Sequence, residues 1–173
     1  VGAHWSPGPA GGIGVSATYG GTLEATPRGE DGETKTYDLP LTLQAGASGR
    51  VMPNLLIALA GKWSGWSSAA EELADSGGAR DSWSANAGIE WEALRIRDRV
   101  IPFRVGARTG VLPFQGDADE DATERALSVG GGILLSGGAV RPDFAAEFGQ
   151  RSGIAGVEES FWRFNFSVRV LAR

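Results

Sequence analysis

Few residues in this chain have the types and spacing that chemistry requires. His4 is the single histidine, and no nucleophile or second ligand stands in register with it, as a catalytic pair or metal site would need. It reads as an incidental residue beside Trp5, and the chain as no enzyme. The acidic groups Glu71-Glu72 and Asp117-Asp119-Glu120-Asp121 have the oxygen ligands that calcium takes, but they lack the glycine-punctuated spacing of a dedicated calcium loop. They read as solvated loops. Gly130 to Gly132 would cradle a phosphate at the start of a helix, yet no helical period follows, so the run reads as a bulge or a close approach of strands. The absence of cysteine excludes thiolate metal sites and a disulfide framework. No cofactor is called for.

A different set of ionisable residues is ordered by its spacing. Arg50, Lys62, Glu90, Glu92, Arg104, Arg108, Asp143, Glu147, Arg151, Arg163 and Arg169 fall on the polar side of segments whose alternate positions are apolar. Charges of both signs on one face of neighbouring strands predict ion-paired networks that close a small lumen. In a wider enclosure the same residues line a polar path.

The elements that must position these groups are strands. From Trp162 to Val170 the even residues are Trp, Phe, Phe, Val and Val and the odd ones Arg, Asn, Ser and Arg; successive side chains on a strand point to opposite faces, so one face is greasy and the other polar. The same alternation runs through Ile13 to Leu23, Tyr37 to Ala47, Leu55 to Trp63, Trp83 to Trp91, Ile101 to Val111, Leu127 to Leu135 and Phe144 to Phe148. Together these predict eight full strands in a single domain over 1–173, with Val1 to Trp5 as a partial strand or tail. Connections at 6–10, 52–54, 94–99 and 137–140 are short. Those at 26–34, 68–80, 115–124 and 152–158 are long or acidic, so one end of an up-and-down meander is trimmed and the other elaborated.

Alternation alone fits a soluble barrel that binds a ligand as well as a membrane barrel, and further features favour the membrane. Polar faces rich in Gly, Ser, Thr and Asn suit the inside of a barrel better than a charged, solvent-facing surface. Trp83 and Trp91 stand about 26 Å apart along a strand at ~3.3 Å per residue, or roughly 20 Å along a barrel axis at ~40° tilt, near the height of an outward apolar band. Tyr37, Trp63, Phe148 and Trp162 join Trp83 in a loop-side aromatic girdle, and Phe103 and Phe144 join Trp91 on the turn side. Trp63 and Trp66 flank a loop-side end, with Trp66 on the lumen face as an anchor, a filler or a contact for an apolar ligand. Short turns opposite long loops are the habit of outer-membrane barrels, periplasmic turns being the short ones.

The expected fold is therefore all-β: an antiparallel up-and-down transmembrane β-barrel of about eight strands, alone or as part of a larger barrel. Its turns and C-terminus would be periplasmic and its acidic loops external. No apolar run approaches the roughly 18 residues of a membrane helix, which is silent about strands. A net charge of -5 argues against a nucleic-acid partner. The implied partners are outer-membrane lipid, a hydrophobic small molecule and, through the acidic loops, external partners or other barrel subunits. The chain starts at Val1 with no leader and reads as a processed or excised segment.

The stretches VGAHWSPGPAGGIGVSATYGG, LPLTLQAGASGRVMPNLLIALAGKWSGW, PFRVGARTGVLPF and LSVGGGILLSGGAVRPDFAAEFGQRSG resemble the second half of the outer-membrane long-chain fatty acid transporter family (FadL-type proteins). The resemblance implies strands of a fourteen-stranded barrel that passes hydrophobic molecules inward. It carries over no ligand-binding residue by motif, and no segment here matches that family's N-terminal hatch.

Overall fold

Residues that alternate apolar and polar side chains do form strands, and nearly everything the structure describes is strand. The computed structural model describes residues 1–8, 10–25, 34–69, 79–96, 99–115, 121–133, 135, 139–154 and 157–170. The strands are β1 (Gly2–Gly8), β2 (Gly11–Tyr19), β3 (Thr22–Ala25), β4 (Lys35–Asp38), β5 (Leu41–Met52), β6 (Leu55–Ser64), β7 (Ser82–Ile96), β8 (Arg99–Gln115), β9 (Asp121–Gly132), β10 (Val140–Ile154) and β11 (Val157–Val170). One 3-10 turn, Trp66–Ala69, follows β6.

Nine of these make one antiparallel sheet in the order β1-β2-β5-β6-β7-β8-β9-β10-β11. It is an up-and-down meander, and β1 and β11 are its two open edges. The expected partial strand is a full one: Gly2 to Trp5 pair with Ser16 to Ile13, and the ladder resumes at Gly8 opposite Gly11 beyond a bulge. The count in the sheet is therefore nine rather than eight. The predicted turn at Ser6-Pro7 instead continues β1, with the Ser6 hydroxyl bonded to the Gly8 and Gly11 carbonyls. The loop expected at 152–158 shrinks, because β10 runs to Ile154 and β11 starts at Val157.

Two strands read as continuous are broken. Tyr19 pairs directly with Leu41, while β3 and β4 pair only with each other as a separate hairpin. At the break Gly21 takes φ +72°, a left-handed conformation that a side chain disfavours, and the Leu39 N–H donates to the Gly21 carbonyl at 2.8 Å. Pro40 has no N–H to give to a ladder. Tyr37 consequently lies in this hairpin, opposite Leu23, and not on the wall with the other aromatics.

Register sorts the side chains by face. One row across the sheet runs Ile57, Ile89, Val105, Val129, Ala146, Phe164. On the opposite face a row runs Lys62, Ser84, Gly110, Glu124, Arg151, Glu159. The apolar face is uncovered: Phe164 and Phe166 are each 74% exposed, and no large side chain among the described residues is fully buried. Glycine on the polar face lets the strands approach. A Cβ on Gly110 would sit 2.3 Å from the Trp83 carbonyl oxygen, whereas one on Gly49 would meet nothing within 4 Å. Gly110→Ala is expected to cost about 1–3 kcal/mol as backbone shifts to relieve the overlap, and Gly49→Ala close to nothing; denaturant midpoints of the two variants in detergent will check the difference.

Candidate functional site

The polar face of β7 to β11 gathers most of the sequence-predicted ionic residues into two assemblies. Near the turn end, Arg104 donates from Nε to Glu90 Oε2 at 2.5 Å and from Nη1 to Asp143 Oδ1 at 2.6 Å. Arg141 closes the ring, reaching the same Glu90 oxygen at 3.4 Å and Asp143 at 3.1 Å. Two guanidiniums thus share two carboxylates. A geometry in which each charge meets two opposite charges is stronger than isolated pairs, because charge-assisted hydrogen bonds reinforce the Coulomb attraction.

Farther toward the loop end the ions form an open chain that alternates in sign: Glu159, Arg151, Glu124, Arg108, Glu147, Arg163. Glu124 accepts from Arg151 at 2.6 Å and from Arg108 at 2.7 Å. Glu147 accepts from Arg108 and Arg163, each at 2.9 Å, and Arg151 also reaches Glu159 at 3.5 Å. Glu124 is the most enclosed member, 6% exposed. Arg108 spends both terminal nitrogens on carboxylates, leaving its buried Nε without a partner. The Phe161 ring lies between Arg151 and Arg163, whose guanidinium carbons stand 4.8 and 5.4 Å from its centroid. Gly149 makes room for it: a Cβ there would meet the ring at 2.3 Å.

The remaining residues of the set stand apart. Arg50 pairs with Glu92 at 3.0 Å and donates to the Pro53 carbonyl at 3.1 Å. Lys62 and Arg169 lie in phase with this face but have no carboxylate partner among the described residues. Lys62 helps to line a hollow of about 470 Å³ with Gly14, Ser16, Gln44, Ala60 and Asn86. The polar face is accordingly divided, with a charged and cross-linked half over β7 to β11 and a half over β2 to β6 where, apart from Arg50 and Lys62, the residues are neutral and mostly small.

Glu124, Arg141 and Glu159 belong to the assemblies and were missed by sequence reasoning, which placed Glu124 in the loop at 115–124 and assigned Arg141 and Glu159 to no strand. Phase would have found them. Glu124 is in step with Ser128, Arg141 with Asp143 and Glu147, and Glu159 with Arg163.

The aromatics stand on the opposite face. Trp63 is paired with Trp83, Trp91 with Phe103, Phe144 with Phe166 and Phe148 with Trp162, the last two rings 5.1 Å apart. Trp66 opens the 3-10 turn and does not continue the lumen face of β6 as expected, because that strand ends at Ser64. The run Gly130 to Gly132 lies within β9 in unbroken register with both neighbours. Of the two sequence readings it is the close approach, without a bulge: a Cβ on Gly130 would be 2.8 Å from the Phe144 carbonyl oxygen.

His4 lies over Gly12 and Gly14 on the polar face and belongs to no metal-ligating cluster among the described residues. Glu71, Glu72, Asp117, Asp119 and Glu120 fall outside the described residues. Asp121 is described and receives Arg80 at 2.9 Å. Among the described residues no group of three or more His, Cys, Asp or Glu could hold a metal ion, and no helix is long and apolar enough to cross a membrane, which does not bear on strands. Set beside known proteins, the chain matches no family model and no curated protein.

Proposed function

We propose that this chain is wall of an outer-membrane β-barrel, with its apolar face against lipid and its ionic face inward, acting as a channel or uptake component for hydrophobic compounds. The observation that carries the reading is an inversion. A sheet in water buries its greasy face under a second layer; here Trp162, Phe164 and Phe166 stand exposed, while Glu124 is buried along with only small residues such as Ser64, Ala122 and Ala126 among those described. Paired strands also satisfy one another's backbone groups, which is what hydrocarbon demands of any sheet that enters it.

The separation of Trp83 from Trp91 matches an apolar band with an aromatic at each rim. The resemblance to the long-chain fatty acid transporter family points the same way. The mostly small residues that surround Lys62 over β2 to β6 leave room for a path beside the cross-linked half. Loops would face outward and turns the periplasm, with lipid as the constant partner.

A second reading is favoured by the ion assemblies themselves, which tie neighbouring strands together as a structural or interaction module of the outer membrane would require. Uptake of a fluorescent long-chain hydrophobic probe into vesicles separates the two. Several-fold faster entry with the protein than without it is expected, and equal rates would remove transport while leaving the structural role.

A further inference from the structure

We propose that the outer edge of β11 is a docking site for one further strand, antiparallel to β11, that carries a carboxylate on its polar side near Arg169 and Arg163. The proposal stands on the sheet alone and does not require that its apolar face meet lipid.

The two edges of the sheet differ in kind. β1 spans Gly2–Gly8, only seven residues, with Pro7 among them, and short strands with proline are how exposed edges are blunted. β11 spans Val157–Val170, fourteen residues with no proline, glycine or lysine. It pairs with β10 along nearly its whole length, so its far side presents an equally long row of unpaired N–H and C=O groups.

Direction then limits what can pair there. Each strand of the nine runs opposite to its neighbour, so β1 and β11 run the same way. β1 could join β11 only as a parallel pair, and so could β1 of a second copy standing alongside in the same orientation. An antiparallel continuation needs a different strand.

Charge supplies the chemistry. Every junction from β7 to β11 is crossed by an arginine-carboxylate pair: Glu90 with Arg104, Arg108 with Glu124, Glu124 with Arg151, and Glu147 with Arg163. At the end of this series Arg163 remains half exposed, with its carboxylate on the β10 side. Arg169 lies opposite Arg141, a like charge, and has no carboxylate partner among the described residues. An Asp or Glu on the next strand extends the series and relieves that opposition, and apolar residues on its other side extend the row of Trp162, Phe164 and Phe166.

The chain has no cysteine, so single introduced thiols report position without interference. The full chain, refolded in detergent micelles, is mixed with two strand-length peptides of alternating Leu and Ser, each beginning with a Cys, which antiparallel pairing sets beside the C-terminal end of β11, and differing only by a Glu or a Lys at one polar position. Disulfide capture is read at Ser167→Cys on β11 and at Ser6→Cys on β1, with circular dichroism confirming that each variant folds. Roughly five- to tenfold more capture of the Glu peptide than of the Lys peptide is expected at Ser167→Cys. Arg169→Glu should reverse the preference and Arg169→Lys keep it. Equal capture of the two peptides, preferential capture at Ser6→Cys, or Ser167→Cys chains linking to each other in preference to the Glu peptide would each overturn the proposal, the last by making a second copy the occupant.

Discussion

Ala87→Arg is expected to destabilise strongly the chain folded in lipid vesicles. Ala87 lies midway between Trp83 and Trp91 on β7 and pairs with Leu59 on one side and Ala107 on the other, in the apolar face. An arginine at the midplane of a barrel's lipid face costs roughly 2–4 kcal/mol, which lowers the folded-to-unfolded ratio by a factor of about 30 to 1,000. The adjacent Asn86 is on the other face, beside Arg108. Asn86→Asp there gains a cation and should stay within about 1 kcal/mol of the parent. Urea titrations of both variants in vesicles give the comparison. The sign of the Ala87 effect is what discriminates: if the exposed apolar face belongs in water, the added charge raises solubility and leaves folding intact, and the lipid-facing reading fails.

Glu124→Gln is expected to destabilise the folded chain by about 2–3 kcal/mol, below the full cost of breaking a wholly buried pair because its arginine partners are partly solvated. Glutamine keeps the shape but neither the charge nor the second acceptor oxygen, so Arg108 and Arg151 each lose a carboxylate. Arg108 already has a buried Nε without a partner and has no spare bond to lose. Glu92→Gln, which breaks a more exposed pair with Arg50, should cost less than about 1 kcal/mol. Combining Glu124→Gln with Arg151→Gln should cost less than the two changes summed, since they remove one shared interaction. Equal effects of Glu124→Gln and Glu92→Gln on the urea midpoint would mean that the alternating chain of charges does not hold the sheet.

Much of this sheet was legible because a period of two is readable wherever one face is apolar, and the phase of that period places Arg104, Arg108, Glu147 and Arg163 on one side without knowledge of the pairing. Strand ends were less legible. Thr123, Glu124 and Glu158 look like loop by composition, yet hydrogen bonding carries β9 and β11 through them. The breaks at Gly20-Gly21 and Leu39-Pro40 left no trace in the pattern, since glycine and proline occupy positions of either face without disturbing the count. Trp66 kept its phase on paper only, because nothing in its own residue type says that β6 stops two positions earlier. Which arginine meets which carboxylate depends on register between strands, which a single chain's alternation does not contain.

The hairpin of β3 and β4 has a consequence for how this protein can diversify. Tyr19 and Leu41 face each other directly, so β3 and β4 form an appendage whose length is uncoupled from the register of the main sheet. Insertions, deletions or foreign epitopes placed there are expected to alter what this end of the sheet displays to the surroundings and to leave the ladder beneath it unmoved.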